Sequence, residues 1–456
     1  MEPPKNTSMN ASASAPFHLR GNYAPVFEEV TTDQLEVRGS IPIELDGRYF
    51  RNGANPITGE SAHWFLGDGM IHGVRLREGR ADWYRNRWVK TPFYKNPTKP
   101  VIDLENLDFS SENSKANTHV VAHAGRILCL EEGHIPWEIS DELETVGPHS
   151  FEGRLDGSFT AHPKICPLTG EMLAFGYGLL PPTYLTFLRV SPTGELVQQE
   201  AIDIPAPVMM HDFNITASRV IFMDLPVVFD LDLAMAGSMP FSFQRDNGAR
   251  LGVMERASND ADVQWLDIDP CYVFHPVNSY DVDDHVIIDV ARYPSMWETG
   301  SGSFNTKAEL WRWDIDTAVG KVTETQLDDR PIEFGRISDK RVGLNYQYGY
   351  AVSLDLAGEE TSASQPGTIV KYDLAGDRSS IWDLGEGRDP GEFVFVERPG
   401  AGVEDDGWLL GYVYDRAEDR SSLVILDASQ PGEDPIAEVL LPQRVPFGFH
   451  GSWIWD

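Results

Sequence analysis

The sequence predicts an all-β protein built as a propeller with a cap of loops and short helix on one face, and three observations point there. Short apolar runs rich in Val, Ile and aromatic residues recur from one end of the chain to the other. Turn-forming clusters of similar composition separate them. Long amphipathic helical patterns are missing. With 40 Gly and 31 Pro among 456 residues, the chain carries turn formers for many hairpins, and a closed β architecture accommodates that length as one unit.

Taken in chain order, residues 1–18 read as a disordered tail. They are polar and small, without the basic start and apolar core of a secretory signal. Residues 19–456 read as one catalytic propeller domain, because no composition break marks a second. Val220–Leu225, Val286–Tyr293, Leu409–Tyr414 and Leu423–Leu426 carry strand chemistry bounded by Gly, Pro, Asp and Ser. The turns Pro56–Glu60, Pro167–Glu171 and Pro192–Glu195 share a Thr-Gly pair, and Asp316–Gly320 and Asp373–Gly376 are looser relatives. In each, Gly accepts a positive φ. The repeat is degenerate, with no strict period. Leu231–Gly237 reads as one short helical turn and Gln244–Asp262 as a long loop. A pair of β-sandwiches is the alternative architecture.

The bulk numbers exclude some functions. A formal net charge of −34 argues against nucleic acid, which needs a basic footprint. No run approaches the ~18 apolar residues of a membrane span, so any membrane contact is expected to be peripheral. Cys129, Cys166 and Cys271 have no spacing that fits a disulfide framework or a zinc site. Reduced thiols in a cytoplasmic protein are the expectation.

No His-Glu-x-x-His or paired Cys-x-x-Cys is present, so a metal site has to be assembled from distant segments. A propeller does this, because its inner strands converge on one axis. His162, His211, His275 and His450 have the wide, irregular spacing of one ligand per blade. Each stands at an apolar-to-turn edge: Phe159-Thr160-Ala161-His162-Pro163, Met209-Met210-His211-Asp212-Phe213, Tyr272-Val273-Phe274-His275-Pro276 and Phe449-His450-Gly451-Ser452-Trp453. Taken singly, each reads equally as a packed core histidine. Asp212 reads as structural.

These four contexts resemble the metal-ligand motifs of the carotenoid cleavage oxygenase family, whose members include retinal pigment epithelial membrane protein-like chains. Arg51-Asn52-Gly53, Asn55-Pro56 and Gly67-Asp68-Gly69-Met70-Ile71-His72-Gly73 resemble its N-terminal signatures, and Leu441–Pro446 leading to Phe449-His450-Gly451 resembles its C-terminal one. The motifs come in the right order from about residue 20 onward. The resemblance implies a seven-bladed propeller with one non-haem Fe(II) per chain on its axis, held by His162, His211, His275 and His450. Four neutral imidazoles suit ferrous iron. It also implies three glutamates bonded to the histidines, at Glu132, Glu333 and Glu392. Glu333 and Glu392 sit inside apolar runs, where a carboxylate needs a partner.

For the substrate cavity the expected residues are Thr118, Glu131, Phe65, Phe274 and Phe449, with Trp64 and Trp453 as further walls. Thr118 resembles a small residue near the open iron position of some relatives. Stilbene-cleaving members carry a lysine where this chain has Glu131. The implied reaction is O₂-dependent scission of a conjugated C=C bond in a hydrophobic alkene, a carotenoid or apocarotenoid, to two carbonyl products. Cleavage of a stilbene or a vinyl- or propenyl-phenol to an aromatic aldehyde is the alternative. A metal-free propeller binding a partner protein is the reading from outside enzymology.

Overall fold

In a computed structural model, residues 15–97, 112–179, 182–236, 238–298, 304, 306–354 and 367–456 are described. Seven sheets of four or five antiparallel strands form the blades of a propeller, and one two-stranded hairpin stands apart from them. The expected tail lies largely outside the described residues. Phe17 and His18, which the sequence assigns to the tail, are already packed: the Phe17 ring stands 5.4 Å from Tyr23 and His18 Nε2 lies 3.0 Å from the Ser61 carbonyl.

Burial grades outward through each blade. The inner and middle strands are covered on both faces, as in Gly47–Ala54 and Gly407–Asp415; the second reads as a nearly continuous apolar run, whereas the first buries Arg48, Arg51 and Asn52 as well. The outermost strands, such as Lys321–Asp328, alternate or face water. Leu409, Val424 and Leu426 are fully buried and belong to a core that runs through several blades.

Two segments close the ring. Gly451–Trp455 pairs with Gly47–Ala54 and becomes the innermost strand of the first blade. Glu36–Gly39 pairs with Ala437–Leu440 and becomes the outermost strand of the last. The sequence motifs at both ends therefore meet. The Asn52 backbone N–H donates to the His450 carbonyl at 3.0 Å, the Phe449 N–H donates to the Asn52 carbonyl at 3.1 Å, and the His450 N–H donates to the Thr118 carbonyl at 3.1 Å. Asn52 Nδ2 ties the same corner to the Ala116 carbonyl at 2.8 Å.

The four sequence-predicted strands all lie in blade strands: Arg219–Asp224, His285–Tyr293, Gly407–Asp415 and Arg420–Asp427. The Thr-Gly turns at Gly170 and Gly194 have φ of +71° and +88° and join neighbouring strands. At Asp373–Gly376 the positive φ falls instead on Asp377, at 48°. The expected loop Gln244–Asp262 is a correction: it contains the strand Ala249–Glu255, which pairs with both Arg219–Asp224 and Gln264–Ile268. Polar flanks on both sides hide its apolar face, and Gly252 is there because the Trp265 ring fills the space a Cβ would need, at 2.6 Å. Leu231–Met235 is a short helix N-capped by Asp230. It joins the hairpin strands Val227–Phe229 and Phe241–Phe243, which bond the segment just before His211 through the Val227 carbonyl and the Met209 N–H at 2.8 Å. The three cysteines are free and buried. Among the described residues, no helix is long and apolar enough to cross a membrane.

Candidate metal centre and active site

His162 and His211 stand just before the inner strands Lys164–Ile165 and Asn214–Ile215, His275 lies near the start of Tyr272–Val282, and His450 directly precedes Gly451–Trp455. Radial convergence brings them together. One nitrogen from each falls within 4.8 Å of the others. His211 Nε2 lies 3.3 Å from His275 Nε2, which lies 3.2 Å from His450 Nε2. The register of Tyr272–Val282 slips around Pro276, a bulge that re-aims the adjoining side chain.

The other ring nitrogens face carboxylates supplied by the three remaining blades. His275 Nδ1 donates to Glu333 at 2.5 Å and His450 Nδ1 to Glu392 at 3.0 Å, and His211 Nδ1 pairs with Glu132. His162 has no glutamate. Its Nδ1 stands 3.7 Å from Asp212, whose charge is met by Lys164 at 2.8 Å. Asp212, which the sequence reads as structural, is paired with Lys164 and is not among the four residues whose nitrogens converge.

The glutamate contacts fix the tautomers of His211, His275 and His450. A carboxylate accepts, so Nδ1 carries the hydrogen and Nε2 presents a lone pair. Acceptors 3.2–3.3 Å apart cannot bond one another. Among the described residues, His162 Nε2 is buried without a hydrogen-bond partner. Such lone pairs repel unless a cation lies between them, and neighbouring imidazole ligands about 2.1 Å from one ion stand about 3 Å apart. The donor set therefore fits a divalent metal. Burial, with the neighbouring rings, pushes His162 and His450 well below the ordinary histidine value, so both are neutral and ready to ligate. Burial pulls His211 down as well, but Glu132 outweighs it and leaves the ring above that value.

A further layer holds the carboxylates. The Tyr293 hydroxyl donates to Glu333 at 2.6 Å and the Tyr177 hydroxyl to Glu132 at 2.9 Å. Arg336 grips Glu392 through two bonds of 2.8 and 2.9 Å and also donates to the Gly451 carbonyl at 2.8 Å. Burial pushes Glu392 up, but Arg336 and His450 hold it well below the usual carboxylate range.

On the capped side Phe274 lies edge-on to His211 at 4.9 Å, Phe65 stands 6.1 Å from Phe274 and 5.6 Å from Phe449, and Trp64 stands 4.9 Å from Phe449. Trp297 and Phe304 extend this aromatic wall. Thr118 is beside His450, its hydroxyl donating to Asn117 at 2.9 Å. Glu131 is committed to the chain: it accepts from the Ser114 hydroxyl, the Lys115 N–H and His134 at 2.8–3.0 Å. Trp453 is a correction. It belongs to a different space, a channel of about 470 Å³ along the inner strands that reaches His162, His275 and His450 from the far side of the ring. That channel also touches His119, whose ring is 5.2 Å from His450 and which burial lowers to about 4.

Sequence reasoning missed His119, Tyr177, Tyr293, Arg336, Trp297 and Phe304. A charged residue two positions after an inner-strand aromatic was the available signal for Arg336. Phe334, beside His275 and His450 at 5.3 and 5.5 Å, holds a φ of 57°, a strained conformation for a bulky residue.

The family described as retinal pigment epithelial membrane protein matches residues 23–455. The carotenoid cleavage oxygenase of Mycobacterium tuberculosis is 37% identical over 98% of this chain and 99% of its own length. This chain belongs to the carotenoid cleavage oxygenase family. The carotenoid 9,10(9',10')-cleavage dioxygenase 1 of Arabidopsis thaliana is 35% identical to this chain, over 97% of it and 91% of that one. Among solved structures, the Pseudomonas brassicacearum lignostilbene dioxygenase superposes on it with a TM-score of 0.87 at 28% identity, over 97% of this chain and 99% of that one. Cobalt-substituted Synechocystis apocarotenoid oxygenase does so with a TM-score of 0.85 at 27% identity, over 96% and 98%. The chain is a dioxygenase with a four-histidine group compatible with a metal.

Proposed function

We propose that the oxygenase holds one Fe(II) per chain through His162, His211, His275 and His450 and cleaves a conjugated C=C bond of a carotenoid or apocarotenoid with O₂. The carrying observation is the convergence of four imidazole nitrogens whose opposite edges are committed to carboxylates or stand beside one. When bound, ferrous iron in an all-imidazole site supplies open positions for O₂. The alkene's own electrons complete the reduction: each oxygen atom ends in one carbonyl, and no external reductant is needed.

The chain's residues do the rest. Glu132, Glu333 and Glu392 orient the rings and fix their tautomers. Phe65, Phe274 and Phe449 offer an apolar wall that excludes water and aligns a rigid polyene. Thr118 holds the backbone beside His450. Leu231 and Met235, 60% and 67% exposed on the short helix, give the cap an apolar edge for peripheral contact with a membrane that stores such a substrate.

The likeness to lignostilbene dioxygenase keeps a second reading, a stilbene or vinyl- or propenyl-phenol substrate. Against it, Glu131 occupies the position expected to meet a phenol and is already bonded to Ser114, Lys115 and His134. The test is incubation of the Fe(II) protein under ¹⁸O₂ with carotenoids, apocarotenoids and stilbenes, products read by mass spectrometry. Two ¹⁸O-labelled carbonyl fragments from a polyene are expected. Turnover of stilbenes alone would transfer the assignment to the second reading, and far less than one iron per chain with no O₂ uptake would overturn both.

A further inference from the structure

We propose that Arg336 sets the net charge of the metal centre and thereby favours the divalent over the trivalent ion. This rests on the iron reading above. Arg336 ends the strand Glu333–Arg336 of the sixth blade, whose first residue serves His275, and crosses to Glu392 in the seventh.

The three glutamate–histidine pairs are not equivalent. Glu132 and Glu333 are backed by neutral phenols, Tyr177 and Tyr293. Among the described residues, Glu392 alone is backed by a cation, through a guanidinium fork that also fastens the Gly451 carbonyl next to His450. Arginine keeps its charge under all conditions the protein meets. At His162, Asp212 is neutralised by Lys164.

The tally over the groups that touch the rings or their carboxylates is then short. Three glutamates give −3 and Arg336 gives +1. The Asp212–Lys164 pair adds nothing. A divalent ion brings the sum to zero, whereas a trivalent one leaves a buried positive charge. Without Arg336 the balance moves to the trivalent ion. Glu392 is 2% exposed, so water screens this charge weakly on the ring side. At an effective dielectric of about 20, a unit charge at about 10 Å weighs more than tenfold on an equilibrium.

Arg336 is therefore a positioning residue that acts through Glu392 and His450. The test is a mediated redox titration of the iron-loaded protein, with the ferric form read by electron paramagnetic resonance as one electron passes to the mediator. Arg336→Gln should shift the ferric-to-ferrous ratio at least tenfold toward ferric at a fixed poise, about 59 mV for a one-electron couple. Arg336→Lys, which keeps the charge, should stay within about threefold of the parent. The double variant Arg336→Gln with Glu392→Gln restores the tally to zero and should return toward the parent ratio. A structural role alone would make the double variant at least as displaced as the single. That result, or an iron-loaded Arg336→Gln within threefold of the parent, would overturn the proposal. If Arg336→Gln fails to hold iron, the lysine and double variants decide by the same criteria. A parent chain that takes up no iron overturns the metal reading and this inference with it.

Discussion

The chemistry at single residues is a matter of which nitrogen is free. Three imidazoles present unprotonated edges to one point because their other edges are occupied by glutamates, and a nitrogen of His162 reaches the same point. Replacing Glu333 with Gln removes the acceptor charge that both His275 and Tyr293 use. Carboxylates in this position typically contribute 10–100-fold to metal affinity, and we expect a loss of that size in a competitive chelator titration, with the fold retained by circular dichroism. The ligand and glutamate positions were legible through the resemblance of their motifs to the family: singly, each histidine read equally as a packed core residue, and only Glu333 and Glu392 sit in apolar runs where a carboxylate needs a partner. The third layer was not. Tyr177 and Tyr293 look like ordinary strand aromatics until the partner across the blade is known, and Trp453 pointed to the wrong space because strand alternation alone does not say which side of the ring a residue faces.

Among elements, the blades were readable where strands are uniformly apolar and opaque where they are not. Val286–Tyr293 announces itself, whereas Ala249–Glu255 carries Arg250 and Gly252 and is flanked by polar turns. Its strand character comes from partners on both sides, a tertiary cause that local propensity does not record. Gly252 is the residue that lets the next strand's tryptophan lie flat against it. Gly252→Ala should therefore cost about 1–3 kcal/mol by overpacking, measured by urea denaturation, since a Cβ there meets the Trp265 ring at 2.6 Å. Gly402→Ala, with nothing within 4 Å, is the control and should stay within about 0.5 kcal/mol.

For the molecule as a whole, the buried histidines tie stability to pH. Burial lowers His72, His119, His162 and His450 in the folded state. Above the unfolded value of about 6.5 none of the four costs anything. Below it the unfolded chain takes up protons the folded one refuses, each worth up to about 1.4 kcal/mol per pH unit. His211, raised by Glu132, and the more exposed His285, raised by Asp314, work the other way, but they are outnumbered by these four and by His149, which burial also lowers. The metal-free protein should accordingly lose several kcal/mol between pH 7 and pH 5 in urea titrations, while loading with a divalent ion at pH 7 raises the midpoint. The closing strand Gly451–Trp455 has a consequence for biosynthesis. It is made after every other blade, and His450 comes with it. Until it has left the ribosome, a nascent chain offers three imidazoles, the ligand count of a catalytic zinc site, on a ring that is still open. On the four-histidine reading, the ligand set is complete only once His450 has joined the ring, and a cell that exposes half-made chains to free zinc should accumulate mismetallated, open-ring protein.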